Sequence, residues 1–142
     1  MTDRRLAVAA WESLFRAQHD VLAEISDDFS EAGLTQAEYD VLLTVTRGDG
    51  HAARLREVTA NMLISQPSVS RLVDRMTARG LLTKHADPSD GRGAVLQATA
   101  TGVSEFRRVA TVHGRSIAQR MAVLSDDELE QLRQLTAKLR AG

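Results

Sequence analysis

A mostly α-helical fold with a small β-hairpin is what this sequence predicts, and three observations carry the prediction. Apolar residues recur at helical spacing over most of the 142-residue chain. Two prolines and nine glycines leave few places where a helix must break. A single turn-rich stretch, Asp87-Pro88-Ser89-Asp90-Gly91-Arg92-Gly93, separates two short extended runs. With 43% hydrophobic residues the chain can build a core, and its length fits one domain over residues 1–142.

The elements follow in order. From about residue 4 to residue 29, Trp11, Leu14, Phe15, Val21, Leu22, Ile25 and Phe29 fall within roughly a third of a helical wheel, which predicts one long amphipathic helix. Gly33 ends it. Leu34-Thr35-Gln36-Ala37-Glu38-Tyr39 then spells a new start, with Thr35 as the cap, Glu38 returning the bond and Leu34 packing on Tyr39. This second helix should run to about residue 46, where Gly48-Asp49-Gly50 stops it, and a shorter third should cover roughly residues 56–62. After a tight turn around Leu63 and Ile64, Ser65 can cap a fourth helix whose first turn tolerates Pro67. One face of that helix carries Val69, Leu72, Val73 and Met76, while the opposite face carries Ser68, Ser70, Arg71, Asp74 and Arg75. Gly80 closes it. Residues 81–86 and 94–98 read as the two strands of a hairpin with a basic tip. Thr99 opens a fifth helix with Val103, Phe106, Ala110, His113, Ile117, Met121 and Leu124 on one face. Ser125 and Glu128 form a capping box for a sixth, striped by Leu129, Leu132, Leu135 and Leu139.

A short helix, a tight turn, a polar helix and a hairpin with an arginine at its tip make a winged helix-turn-helix. The charge distribution points the same way. The whole chain has a formal net charge of −1, yet residues 54–92 carry seven basic residues (Arg54, Arg56, Arg71, Arg75, Arg79, Lys84, Arg92) against four acidic ones (Glu57, Asp74, Asp87, Asp90). Positive charge is thus concentrated on the segment that the pattern nominates for DNA. Zero cysteines exclude a disulfide scaffold, thiolate zinc sites and cysteine catalysis, and the apolar run at residues 6–11 is too short for a secretory core or a membrane span. A soluble cytoplasmic protein is the expectation.

Ser70-Arg71-Leu72-Val73-Asp74-Arg75-Met76 with Arg79-Gly80-Leu81, and Asp87-Pro88-Ser89-Asp90-Gly91-Arg92 leading to Thr99 and Gly102, resemble MarR-type (multiple-antibiotic-resistance) transcriptional regulators along the whole chain. The resemblance implies a homodimer held by helices in residues 1–34 and 100–142, with residues 35–99 as the winged helix-turn-helix DNA-binding region. It also implies a recognition helix in the major groove, a wing in the minor groove, and a repressor that leaves a pseudo-palindromic operator when a small aromatic or amphipathic effector binds. Two positions depart from the family pattern: Ala98 stands where leucine is usual, and Arg56 where a capping Ser or Thr is common.

Within this motif, Arg71 and Arg75 lie one turn apart and can meet guanine edges or phosphates. Ser68 and Ser70 allow close approach of the helix backbone, and Gln66 and Pro67 lie at the end where such helices meet bases. Arg92 suits a narrow minor groove, with Asp90 bracing its turn, and Lys84 and Arg54 can neutralise phosphates. Asp74, repelled by phosphate, should pair with a neighbouring arginine or a wing residue. The effector pocket implied by the family falls near Trp11, Phe15, His19 and His113; aromatic packing in a dimer core and a buried neutral imidazole are the competing readings. His19, His51, His85 and His113 lack chelating spacing, so no metal or other cofactor is expected. A small hydrolase finds no GxSxG, metal motif or phosphate-cradling loop. The nearer alternative is a ligand-independent DNA-binding or partner-binding protein of the same fold.

Overall fold

The computed structural model describes residues 1–30, 32–62 and 66–142. The elements are α1 (Arg4–Ile25), α2 (Asp27–Ser30), α3 (Gln36–Arg47), a 3-10 turn (Asp49–His51), β1 (Ala52–Arg54), α4 (Leu55–Asn61), α5 (Gln66–Ala78), β2 (Leu82–Asp87), β3 (Asp90–Ala98), α6 (Ala100–Met121) and α7 (Asp126–Ala141). They form two compact units, residues 26–111 and residues 1–25 with 112–142. The expected Ser65 cap and the turn at Leu63 and Ile64 lie outside the described residues, as does the side chain of Gln66.

Residues 26–111 are built around Val41, Leu42, Val45, Val58, Val69, Val73, Met76 and Leu96, each fully buried. Helix α3 starts where the capping box predicts: the Thr35 hydroxyl accepts the Glu38 N–H at 3.1 Å, and Glu38 Oε1 accepts the Thr35 N–H at 2.9 Å. Helix α5 ends in a Schellman turn, with the Leu81 N–H on the Met76 carbonyl and the Gly80 N–H on the Thr77 carbonyl, each at 3.0 Å. Gly80 supplies the required left-handed backbone (φ 75°). The same turn seats α6, because the Thr99 N–H donates to the Leu81 carbonyl at 3.1 Å. A Cβ at Gly102 would fall 2.1 Å from that carbonyl oxygen, so a side chain there is excluded.

Three expectations need correction here. The first long helix stops at Ile25 rather than continuing to Phe29. A separate turn begins with Asp27 and Asp28, whose charges suit a helix N-terminus, and it delivers Phe29 into the core of residues 26–111. There Phe29 meets Tyr39 (ring centroids 5.4 Å apart), which stacks on Phe106 at 5.1 Å. The hairpin also gains a third strand, giving a sheet in the order β1-β3-β2 with both pairs antiparallel. Ala53 of β1 pairs with Leu96 and is buried, so packing makes a strand of three residues that carry no alternating pattern. Finally, the wing reverses over Pro88 and Ser89, with Asp87 facing Asp90 and a register shift at Ala86/Asp87, so Arg92 lies within β3 and not at the tip. Asp87 causes this early reversal: its Oδ1 accepts the Ser89 N–H at 2.9 Å, closing the turn within two residues.

In the other unit α1 buries no residue, and Trp11 and Phe15 of its apolar face are 59% and 55% exposed. Helix α7 opens with the expected capping box, Ser125 Oγ accepting the Glu128 N–H at 3.2 Å and Glu128 Oε1 the Ser125 N–H at 3.0 Å. Arg120 and Glu24 pair at 2.6 Å. An apolar groove of about 720 Å³ runs between Leu14, Ala17, Val21, Met121, Leu124 and Leu132, while Leu135 and Leu139 of α7 are each 65% exposed. Among the described residues no helix is long and apolar enough to cross a membrane.

Candidate nucleic-acid interface

The two faces of α5 have opposite characters. Val69, Leu72, Val73 and Met76 are buried, whereas Pro67, Arg71, Asp74 and Arg75 are exposed and Ser68 and Ser70 half-buried. One apolar stripe therefore fixes the helix by burial and leaves a polar, cationic ridge outward. Among the described residues, Arg71 and Arg75 take part in no ion pair. Asp74 faces Lys84 of β2 across 3.9 Å, which places this acid against a wing cation.

The C-terminal end of α5 is tied down by Arg79. Its guanidinium pairs with Glu38, a buried carboxylate, and its Nη2 donates to the Gly33 carbonyl at 2.9 Å. Sequence reading places Arg79 in the basic count but misses this role, since its partner lies 41 residues away.

At the wing, Asp87 is the organising residue that the sequence reading missed. Its side chain is 5% exposed; Oδ1 accepts both the N–H and the hydroxyl of Ser89 (2.9 and 2.7 Å), and Oδ2 takes Arg54 Nε at 3.1 Å. These two Ser89 hydrogen bonds, with the Arg54 and Arg56 charges, hold the carboxyl below the usual aspartate range despite its burial. Arg54 Nη2 also donates to Ser89 Oγ at 3.1 Å. Asp90 Oδ1 accepts the Arg92 N–H at 3.1 Å, and a Cβ on Gly93 would crowd the Asp90 carboxylate at 3.2 Å. Arg54, Arg56 and Arg92 surround a hollow of about 210 Å³ beside these two aspartates. The signal for Asp87 was present as an Asx turn two residues before Ser89; the distant Arg54 gave none.

Helix α4 begins after Arg54, which makes no side-chain cap bond, so the uncapped start lies two residues before Arg56. Ala98, the other departure, is half-buried against the core as a partner of Leu82.

The four residues named for an effector are not all brought together. Trp11 and Phe15, with ring centroids 5.7 Å apart, share an open hollow of about 450 Å³ along α1 with His19. His113, on α6, is 9% exposed and does not line that hollow. No group of three or more potential metal ligands occurs among the described residues.

A capped core helix, a reader helix with a cationic outer ridge and a braced three-stranded wing define a winged helix-turn-helix of the DNA-binding class. The sequence profile of the MarR family matches residues 32–93. The uncharacterised HTH-type transcriptional regulator YkoM of Bacillus subtilis is 30% identical over 106 residues, spanning 74% of this chain and 67% of its own. The chain belongs to the MarR family and is a DNA-binding transcriptional regulator rather than an enzyme. Its fold matches Sco3205, a MarR family regulator from Streptomyces coelicolor solved in complex with DNA (TM-score 0.82, 20% identity, covering 99% of this chain and 89% of that one). It also matches the 2,4-dichlorophenol-bound form of the organohalide-sensing regulator RdhR-CbdbA1625 (TM-score 0.78, 18% identity, covering 99% and 85%).

Proposed function

We propose that this regulator is a cytoplasmic homodimeric repressor, released from a pseudo-palindromic operator by a small aromatic or amphipathic molecule. The observation that carries the reading is the division of α5, four buried apolar residues against an exposed ridge bearing Arg71 and Arg75. Such a helix can enter a major groove without disturbing its own packing. In this reading Arg71 and Arg75 meet base edges or phosphates, Ser68 and Ser70 keep the backbone close, and Gln66 and Pro67 lie at the leading end. Lys84 adds a phosphate contact, and Arg92 enters the minor groove beside the wing turn. Two copies are called for by the exposed apolar surface of α1 and α7, which includes Trp11, Phe15, Leu135 and Leu139.

The effector half draws on the dichlorophenol bound by one structural relative and on the exposed aromatic pair of α1 with His19; His113, buried on α6, lies outside that hollow. To act, the molecule must bind the operator-free state better than the bound one.

Sequencing the DNA that the purified protein enriches from genomic fragments tests the reading, followed by affinity measurements across a salt series. A palindromic motif bound with steep salt dependence is expected; enrichment of no motif refutes a sequence-specific repressor. For the effector, Trp11 fluorescence and operator affinity should change together across a panel of phenolic ligands. If neither moves, the ligand-independent alternative takes its place.

A further inference from the structure

We propose that Arg54 is a positioning residue that sets the wing against DNA through Asp87 and Ser89, rather than a phosphate contact in its own right. This assignment rests on the reading of residues 54–92 as a DNA reader. Three observations lead to it. The guanidinium is already committed, with Nε on Asp87 at 3.1 Å and Nη2 on Ser89 Oγ at 3.1 Å. Its partner Asp87 is almost wholly buried and uses its other oxygen to close the Pro88-Ser89 turn. Arg54 is also the last residue of β1, where it pairs with Val95 of β3, so the contact joins the outer strand of the sheet to the turn between the other two.

The chemistry suits a strut. A planar guanidinium presents several N–H groups in a fixed fork, so one residue can hold both the carboxylate and the hydroxyl, which a lysine ammonium cannot do in the same geometry. The Asp87 charge satisfied inside this fork is acidic and near the proposed DNA surface. Were electrostatics alone at work, removing it would strengthen binding to phosphate. If Asp87 and Arg54 act as one brace, removing either frees the turn and weakens the pose of Arg92, whose N–H is held on Asp90 three residues beyond Asp87. Opposite signs are therefore expected of the two roles.

The test uses full-length protein and a duplex selected by the wild type from a randomised library. Affinities are measured for Arg54→Lys, Arg54→Ala, Asp87→Ala and the Arg54→Ala/Asp87→Ala double variant, with Asp87→Asn in reserve should the alanine variant fail to fold. The brace predicts that Arg54→Lys and Asp87→Ala each lose about tenfold, the scale of one charged hydrogen bond, and that the double variant binds no worse than the weaker single. Lysine at position 54 binding like wild type, with Asp87→Ala (or Asp87→Asn) binding equally or more tightly, overturns it and makes Arg54 a direct phosphate contact. Amide exchange of Ser89 and Arg92 in the free protein supplies an arm that needs no DNA. Faster exchange in Arg54→Ala and in Asp87→Ala supports the brace and unchanged exchange in these two refutes it. A wild type that selects no duplex would count against the DNA-reader reading and leave this second arm to decide the brace.

Discussion

Replacing Glu38 by glutamine and, separately, by alanine should destabilise the protein by unequal amounts. The Glu38 side chain is 8% exposed and does two things: Oε1 returns the capping bond to the Thr35 N–H at 2.9 Å, and Oε2 pairs with Arg79. Glutamine keeps an acceptor for Thr35, so Glu38→Gln isolates the ion pair. The Arg79 side chain is 48% exposed and recovers water when its partner is neutralised, so that loss should be about 1 kcal/mol, well below the figure for a fully buried pair. Alanine removes the returning bond as well, worth about another 1 kcal/mol, for a total of about 2 kcal/mol. Urea unfolding at fixed protein concentration measures both, because the proposed dimerisation makes stability concentration-dependent. In the Glu38→Gln background, Arg79→Ala should add only the loss of its bond to the Gly33 carbonyl. Equal losses for glutamine and alanine would refute the division between cap and pair, and no loss in either would refute the role of this residue in holding α3 against α5.

The remaining predictions concern packing, acid stability and assembly. Gly102→Ala should cost about 2 kcal/mol or more in the same unfolding assay, since the added Cβ would sit 2.1 Å from the Leu81 carbonyl oxygen. Asp87 has its folded pKa lowered by Ser89 and then by Arg54, so it contributes stability above the ordinary aspartate pKa of about 3.9 and loses it as pH falls through the folded value. An acid titration of stability should therefore be flatter for Asp87→Asn than for wild type below about pH 5, and superimposable curves would contradict this. Glu130, held at about 2 by Arg133 and then Gln134, should keep its contribution further into acid than an unpaired glutamate; NMR titration of its carboxyl checks this directly. Sedimentation should find dimers at micromolar concentration, and a folded monomer there would contradict the proposed covering of α1 and α7.

Local signals in this sequence were legible and distant ones were not. Thr35 with Glu38 and Ser125 with Glu128 are spaced by the helix itself, so both helix starts could be read directly. The buried stripe of α5 was equally plain in Val69, Leu72, Val73 and Met76. The break after Ile25 was missed because neither Gly nor Pro marks it; the aspartates at 27 and 28 and the burial of Phe29 against Tyr39 decide it. Strand β1 was missed because Ala52-Ala53-Arg54 becomes a strand only by pairing with Gln97, Leu96 and Val95. At the interface, the exposed arginines of α5 were foreseeable from helical phase. The commitments of Arg54 to Asp87 and Ser89, and of Arg79 to Glu38, join residues 33 or more positions apart and needed the fold to be seen.

The central claim, that α5 and the wing read DNA in different ways, is tested most directly by one matrix of affinities. Arg71→Ala and Arg92→Ala are measured against the selected operator, its single-base variants and a salt series. Arg71 is exposed and stands away from the buried stripe, so Arg71→Ala should leave the fold intact, lose about 1–3 kcal/mol and relax preference at one operator position. Arg92→Ala should weaken binding with little change in base preference and reduce the salt slope by about one unit. Wild-type affinity in both variants would mean that residues 66–98 are not the DNA reader.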